Sequence, residues 1–138
     1  MNLAVKILSF GLLLMPLSII VAQSTLTVEI VNLESNKGYV IVELLDKNEE
    51  SVTDKKGKIT DHKSTIVFNN LKNGQYAIKF IHDENNNNEF DTNFMGIPKE
   101  GYGFSNDAFG RFGPKEYSKL LFTVSGEIRI RLTAKYLF

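Results

Sequence analysis

The chain has 138 residues, 43% of them hydrophobic, and its 16 basic and 16 acidic side chains leave no formal net charge. This length fits one domain, and a neutral chain without a basic cluster is not typical of a nucleic-acid binder, which uses positive charge to displace counterions. There is no cysteine, which excludes disulfide scaffolds, thiolate zinc sites, iron–sulfur clusters and thiol catalysis.

Residues 1–23 have the composition of a secretory signal peptide. Lys6 precedes an apolar run, and the small or uncharged residues Ala22 and Gln23 follow it. The run is about 15 residues long, whereas a membrane span needs about 20, so cleavage is favoured over a retained anchor. We therefore expect an exported protein, periplasmic or extracellular, with no membrane span after cleavage and a single domain at residues 24–138.

Beyond residue 23, apolar side chains alternate with polar ones in six segments. Successive side chains of a strand point to opposite faces, so a period of two predicts half-buried β-strands. Short strands without a helical period predict an all-β fold, an antiparallel β-sandwich. The predicted inward-facing residues are, in chain order, Leu26, Val28 and Ile30; Val40, Val42 and Leu44; Ile66 and Phe68; Tyr76, Ile78 and Phe80; Leu120, Phe122 and Val124; and Ile128, Ile130 and Leu132.

Asparagine, serine and glycine mark the predicted turns. Asn36-Lys37-Gly38, Asn73-Gly74 and Ser125-Gly126 each stand between two predicted strands. Asparagine and glycine tolerate the positive φ that tight hairpin turns require, so we expect hairpins at these points. The polar stretch from Lys47 to Lys63 predicts either a short strand around Lys58–Thr60 or a loop over one edge of the sheet.

One long loop, about residues 82–118, breaks the alternation. Structureless loops beyond about 12–15 residues are uncommon in compact domains, and the aromatic content of this one predicts an ordered loop that buries its rings. At its start, Asp83, Asn85, Asn87 and Asp91 fit positions 1, 3, 5 and 9 of a calcium loop, and Glu89 at position 7 would offer its backbone carbonyl.

Two positions depart from the calcium-loop pattern. Asn88 stands where glycine is usual, which is a mild change because asparagine tolerates the left-handed conformation. Phe94 stands where a bidentate glutamate is usual, so either a distant acid completes the site or the site is weak. The candidate acids are Glu84, Glu100 and Asp107, and Asn93 could add an amide oxygen. The pattern predicts calcium as the cofactor. The alternative is a polar hairpin tip in which Asp and Asn cap backbone groups.

The second part of the long loop alternates glycine with aromatic residues. The aromatic residues beside Arg111 could form a surface that stacks on a sugar ring or binds a peptide; they are Tyr102, Phe104, Phe109 and Phe112. The alternative, which we favour, is that these rings plug the end of the sandwich while the glycines make the turns.

The run HDENNNNEFDTNFMGIPKEGYGFSNDA, residues 82–108, resembles the signature of an uncharacterised bacterial family, domain of unknown function 2141. The resemblance extends to the pattern from Leu26 to Leu44, the stretch Leu71–Ile81 and the final strands. Members usually have glycine where this chain has Asn88. The resemblance implies a small exported protein with an immunoglobulin-like or transthyretin-like sandwich, and it implies no established activity.

Residues suited to catalysis are isolated in the sequence. His62 lies in a polar stretch, His82 beside Asp83 has too few partners for a zinc site, and Ser105 lacks a nucleophile frame. We therefore expect a non-catalytic exported module whose partner is an envelope protein or a glycan. The alternatives are a carbohydrate- or peptide-binding module and an accessory subunit of an envelope assembly.

Overall fold

A computed structural model describes residues 20–138, which form eight β-strands and two short 3₁₀ helices. The predicted signal peptide lies outside the described residues except for its last four, and its final residue, Gln23, begins β1. None of the described helices has the length and hydropathy needed to cross a membrane. The strands are β1 (Gln23–Val31), β2 (Tyr39–Asp46), β3 (Ser51–Lys58), β4 (Ser64–Lys72), β5 (Gly74–Asp83), β6 (Gly101–Phe104), β7 (Phe122–Val124) and β8 (Glu127–Thr133), and the 3₁₀ helices are Ser105–Asp107 and Tyr117–Lys119.

The strands form two sheets. The smaller sheet has the order β4–β1–β8. In the five-stranded sheet β3, β2 and β5 lie side by side, and β6 and β7 pair with successive parts of the free edge of β5. The described strands pair antiparallel except for β1 and β8, which are parallel. The all-β prediction is confirmed, and the prediction of wholly antiparallel sheets is wrong at this one pair.

The turns predicted to close hairpins within one sheet connect strands of different sheets. The chain passes from one sheet to the other at Asn36–Gly38, at Asn73 and at Ser125-Gly126. Gly38 and Gly126 adopt φ of 68° and 71°, so the expected left-handed conformation is confirmed at both. The hairpin prediction is wrong because a sharp turn can carry the chain across a core as well as back along a sheet. Since β8 arrives from the other sheet, no hairpin fixes its direction relative to β1.

The facing sides of the two sheets share one hydrophobic cluster. Its members are almost fully buried, and burying such a side chain contributes about 1.5–3 kcal/mol. Ile128 and Ile130 are only partly buried because β8 is an edge strand. The cluster includes Leu26, Val28, Ile30, Ile66, Phe68 and Leu132 from the smaller sheet and Val40, Val42, Leu44, Ile78, Phe80 and Val124 from the larger one.

Strand β3 is longer than the sequence predicts. It runs over eight residues and ends at Lys58, where the short strand was expected to begin. It forms the outer edge of the five-stranded sheet and buries only Gly57. An edge strand needs no continuous apolar face, and its lysines discourage pairing with another chain. Hydrophobic alternation therefore gives no sign of this strand.

The segment 82–118, predicted as one long loop, contains β6, the first 3₁₀ helix and the start of the second. It folds over the outer face of the five-stranded sheet and builds a second, smaller cluster there. The expectation that it buries its rings is confirmed for Tyr102 and Phe104, but it is wrong for Phe94 and Phe112, which are 96% and 93% exposed. The buried residues of the second cluster are Ala77, Tyr102, Phe104, Ala108 and Leu120.

Candidate functional site

Asp83, the last residue of β5, anchors the predicted calcium loop. Its carboxylate is buried, and its two oxygens accept hydrogen bonds from the backbone N–H groups of Asn87, at 3.2 Å, and Asn88, at 2.9 Å. Gly38 presses against the backbone carbonyl of Asp83, and a Cβ at Gly38 would lie inside 3.0 Å of that carbonyl. The connection between β1 and β2 therefore supports the start of the loop.

The next two predicted ligands stabilise the turn with their amide oxygens. Asn85 Oδ1 accepts from the N–H of Asn87 at 3.1 Å, and Asn87 Oδ1 accepts from the N–H of Glu89 at 2.9 Å. Asn88 has φ of 63°, as its place at the glycine position of the pattern predicts. These bonds give the chain the tight curvature that brings alternate side chains to one side.

Asp91 faces the same side of the turn. Its carboxylate accepts from Asn85 Nδ2 at 2.6 Å and from Asn87 Nδ2 at 3.0 Å. Four predicted ligands, Asp83, Asn85, Asn87 and Asp91, are thus linked in one hydrogen-bonded turn. Glu89, the fifth, makes only a backbone contact, through the N–H that bonds to Asn87.

Of the three acids proposed to complete the site, Glu100 is the one that contacts the turn. Its carboxylate is buried and accepts from the N–H groups of Glu84, at 3.1 Å, and Asp91, at 3.2 Å. Glu84 also lines the recess at the turn, but its carboxylate accepts from the Ser35 hydroxyl at 3.3 Å, and Asp107 accepts from the N–H of Thr133 on β8. Only the folded chain brings residue 100 back to residue 91, so spacing could not distinguish the candidates.

The electrostatic environment of Glu100 is unfavourable for its charge. Burial raises its pKa above the ordinary 4.5, the two N–H groups that it accepts from oppose this shift, and the negative charges of Asp91 and Asp83 add to it, so the net shift is upward. A polar recess of about 440 Å³ opens beside these groups. It is lined by Glu84, Asn85, Asp91, Thr92, Lys99 and Glu100. A cation in this recess would relieve the repulsion between the carboxylates.

The acidic and histidine side chains near the turn do not form a metal site by themselves. Across residues 20–138, no group of three or more His, Asp or Glu side chains is placed to hold a metal ion. Any ion bound here would use carboxylates together with asparagine amide oxygens, the donors that calcium accepts and that thiolate-seeking or imidazole-seeking metals do not favour.

His82 is fully buried and uses both ring nitrogens in the fold. Nε2 donates to the carbonyl of Lys37 at 2.8 Å, which leaves Nδ1 to accept from the Tyr136 hydroxyl at 2.6 Å in the neutral ring. Burial is the main cause that raises the pKa of Tyr136 to about 12. Neither nitrogen is left for a metal, so His82 holds the end of β5 against the C-terminal segment.

The aromatic surface predicted at Tyr102, Phe104 and Phe109 is mostly internal. The three rings meet in edge-to-face contacts with centroids 5.6–5.9 Å apart, and Tyr102 and Phe104 are buried. Gly101 and Gly103 occupy the positions of β6 whose side chains would lie on its other face. There the rings of Tyr136 and Phe80 leave no room for a Cβ. These contacts agree with the packing interpretation and leave Arg111 apart from the cluster.

An open apolar groove above the same sheet was not predicted, although Arg111 and Phe112 from the predicted aromatic surface line it. It has a volume of about 900 Å³ and lies between the sheet and two parts of the long segment. Its floor includes Ile41 and Ile81, outward-facing residues of β2 and β5. On this face of β5, Ala77 and Ile81 alternate with the polar residues Gln75, Lys79 and Asp83. The composition of the strand therefore did not distinguish a covered face from one exposed to water.

Two sheets with a shared core, a hydrogen-bonded asparagine-rich turn and a groove above one sheet define a small, β-rich protein. The family model of an uncharacterized protein conserved in bacteria (DUF2141) matches residues 28–131, and the chain belongs to this family. The match includes residues from all eight strands and the whole turn from Asp83 to Asp91, together with Glu100. No curated protein and no solved structure matches the chain.

Proposed function

We propose that the protein is an exported, non-catalytic module with an immunoglobulin-like or transthyretin-like β-sandwich, in which the turn Asp83–Asp91 binds calcium and stabilises the segment that follows. One observation carries the proposal. Asp83, Asn85, Asn87 and Asp91 share a single hydrogen-bonded turn beside the buried carboxylate of Glu100. Calcium takes six to eight oxygen ligands, and the carboxylates and amide oxygens of these side chains are donors of that kind. The Asn85 and Asn87 nitrogens that now donate to Asp91 would give way to the ion.

The hydrogen bonds of the turn are compatible with an ion. A carboxylate or amide oxygen that accepts one N–H keeps a second lone pair, so Asp83, Asn85 and Asn87 can brace the backbone and coordinate at once. The amide N–H groups that now donate to Asp91 partly neutralise its charge. A divalent cation would do this more strongly and would also offset the charge of Glu100.

Calcium binding in this turn would stabilise the long segment through the backbone. The carbonyl of Asp91 accepts from the N–H of Lys99 at 2.9 Å, and the N–H of Asp91 donates to Glu100, which directly precedes β6. An ion that binds only the folded turn adds its binding free energy to the stability of these connections. Its role would then be structural.

The surroundings of the potential nucleophile and base support a non-catalytic role. Ser105 Oγ is buried between the N–H of Ile78 and the carbonyl of Leu120, at 2.9 and 2.6 Å, and His82 is occupied as described. The alternative of a carbohydrate- or peptide-binding module would need rings other than Tyr102 and Phe104, since these lack an exposed face for stacking.

The test measures melting temperature with and without calcium. The full sequence is expressed in a bacterium, and the protein is purified with whatever N terminus the cell produces. Mass spectrometry of that N terminus shows whether the signal peptide is cleaved. The cell fraction that contains the protein shows whether it is exported. With a dissociation constant near 10⁻⁴ M, typical of extracellular calcium modules, about 10 mM calcium stabilises by about 2.7 kcal/mol relative to chelator. This corresponds to a rise on the order of 10 °C, which the same concentration of magnesium should not produce.

Matched variants assign the response to the turn. Asp91→Asn and Glu100→Gln should each lose most of the rise, while Glu89→Gln, in the same turn, should keep it because only the backbone of that residue is expected to bind. Asp107→Asn tests an acid outside the turn and should also respond like the wild type. A calcium response that survives in both Asp91→Asn and Glu100→Gln, or one that magnesium reproduces, would refute the proposed site.

A further inference from the structure

The groove lies on the face of the five-stranded sheet that points away from the main core. Ile41 pairs with Ile81 across β2 and β5, and Ile81 pairs with Tyr102 across β5 and β6, so these residues form a continuous apolar row on its floor. The volume of about 900 Å³ falls within the range of small-molecule sites, roughly 300–1,000 Å³.

Two parts of the long segment form the walls. The first wall includes Met95 and Ile97, and the second includes Arg111 and Phe112. Met95 is 64% exposed and Phe112 is 93% exposed, although both border the apolar floor. Apolar side chains that surround an apolar floor gain free energy when a ligand covers them, and contiguous exposed apolar surface commonly marks a binding site.

The charged side chains at one end of the groove are paired with opposite charges, whereas, among residues 20–138, two other cationic side chains that line it are not. Lys79 forms an ion pair with Glu49 at 2.8 Å, and Glu43 lies opposite Lys79 in the strand register, so this end carries compensating charges. Arg111 and Lys135 also line the groove, and within the described part of the chain neither forms a salt bridge. Their cationic groups lie over the rings of Phe112 and Phe109, at 5.6 and 5.2 Å. The groove therefore offers cationic groups to an anion.

We propose that this groove binds a single-chain anionic amphiphile of the fatty-acid class. The acyl chain lies against Ile41 and Ile81 on the floor, and the carboxylate is held by Arg111 and Lys135. A sugar would need many hydrogen-bonding partners and an exposed ring face, whereas this lining is largely aliphatic and aromatic with few polar groups. The inference goes beyond the calcium proposal and does not require it.

The experiment measures binding of saturated fatty acids from eight to sixteen carbons, each below its micellar concentration, to the protein purified as above. Titration calorimetry gives the stoichiometry and the dissociation constant. We expect one site per chain and an affinity that rises by about fourfold per added methylene until the floor is filled. The fatty alcohol of equal length should bind at least tenfold more weakly than the acid.

Two matched pairs of variants locate the site. Phe112→Ser should weaken binding of the long-chain acid at least tenfold, whereas Phe94→Ser changes an equally exposed ring that does not line the groove and should have no effect. Arg111→Gln should reduce the preference for the acid over the alcohol, and Arg129→Gln, on the exposed face of β8, should not. These positions are exposed or at the rim, so the variants should remain folded.

Repeating the titration in calcium and in chelator separates the two proposals. Binding in both conditions supports the groove and shows that calcium is not needed to form it, and binding in calcium alone supports both. If saturable binding is absent both in calcium and in chelator, the groove proposal is overturned, and the melting test of the calcium turn is unaffected.

Further outcomes concern the groove alone. An affinity that does not depend on chain length, or equal effects of Phe112→Ser and Phe94→Ser, would also overturn the groove proposal. So would binding to phospholipid vesicles without binding of free fatty acid, or a dimer that Phe112→Ser dissociates.

Discussion

Gly103 on β6 lies directly opposite Phe80 on β5, and the phenylalanine ring occupies the space where a side chain at position 103 would be. A Cβ at Gly103 would come inside 3.0 Å of two ring atoms of Phe80, closer than real Cβ atoms approach. The ring is buried in the main core, so it has little freedom to move. This contact explains why the sequence Gly-Tyr-Gly-Phe has glycines on one face and aromatic rings on the other.

The contact predicts that Gly103→Ala is destabilising. Forcing a methyl group into a well-packed core costs about 1–3 kcal/mol, measurable as a lower free energy of unfolding in urea. Gly74→Ala, in β5, is the control, because the nearest atom to a Cβ there is 3.8 Å away and the change should stay within about 0.5 kcal/mol. In a Phe80→Leu background, Gly103→Ala should cost less than in the wild type, and equal costs in the two backgrounds would show that the ring is not the cause.

Ser105 gives a second stability prediction. Its hydroxyl is fully buried, accepts from the N–H of Ile78 and donates to the carbonyl of Leu120. Ser105→Ala would leave both backbone groups without a partner, and this costs about 1–3 kcal/mol in the free energy of unfolding. Ser118→Ala removes an exposed hydroxyl and should be nearly neutral. If the two variants unfold at the same urea concentration, the buried hydroxyl contributes nothing to the link between β5 and Leu120.

The strands of the main core were predictable because they bury one face and expose the other. Val40, Val42 and Leu44 illustrate this, since each faces the other sheet and the intervening residues do not. The partner of each strand was not predictable. A turn such as Ser125-Gly126 has the same local chemistry whether it closes a hairpin or crosses to another sheet, and only the packing of the whole core decides between them.

The candidate turn was predictable where its chemistry is local. The side chains of Asp83, Asn85 and Asn87 each accept from a nearby backbone N–H, and this curvature lets the two asparagine amides donate to Asp91. Glu100 could be named only as one of three candidates, because its contact with the turn depends on the return of the chain to β6. The groove could not be derived at all, since its floor and its walls come from separate parts of the chain.

Glu100 links the calcium proposal to a pH dependence whose sign can be stated. A carboxyl group whose pKa is raised on folding binds more protons in the folded state, so its stabilising contribution is present below the ordinary value of 4.5 and is lost as the pH rises through the raised value. In chelator, the wild-type free energy of unfolding minus that of Glu100→Gln should therefore decrease from pH 4 to pH 7.

Calcium should reverse the advantage of protonation, because the ion binds the charged carboxylate and must displace its proton. The calcium-dependent rise in melting temperature should consequently shrink as the pH is lowered from 7 through the raised pKa of Glu100. Asp107→Asn, which lies outside the turn, should show the same pH profile as the wild type. A rise that is constant over this range would mean that Glu100 is not a ligand. The buried carboxylate would then serve only to accept the N–H groups of Glu84 and Asp91.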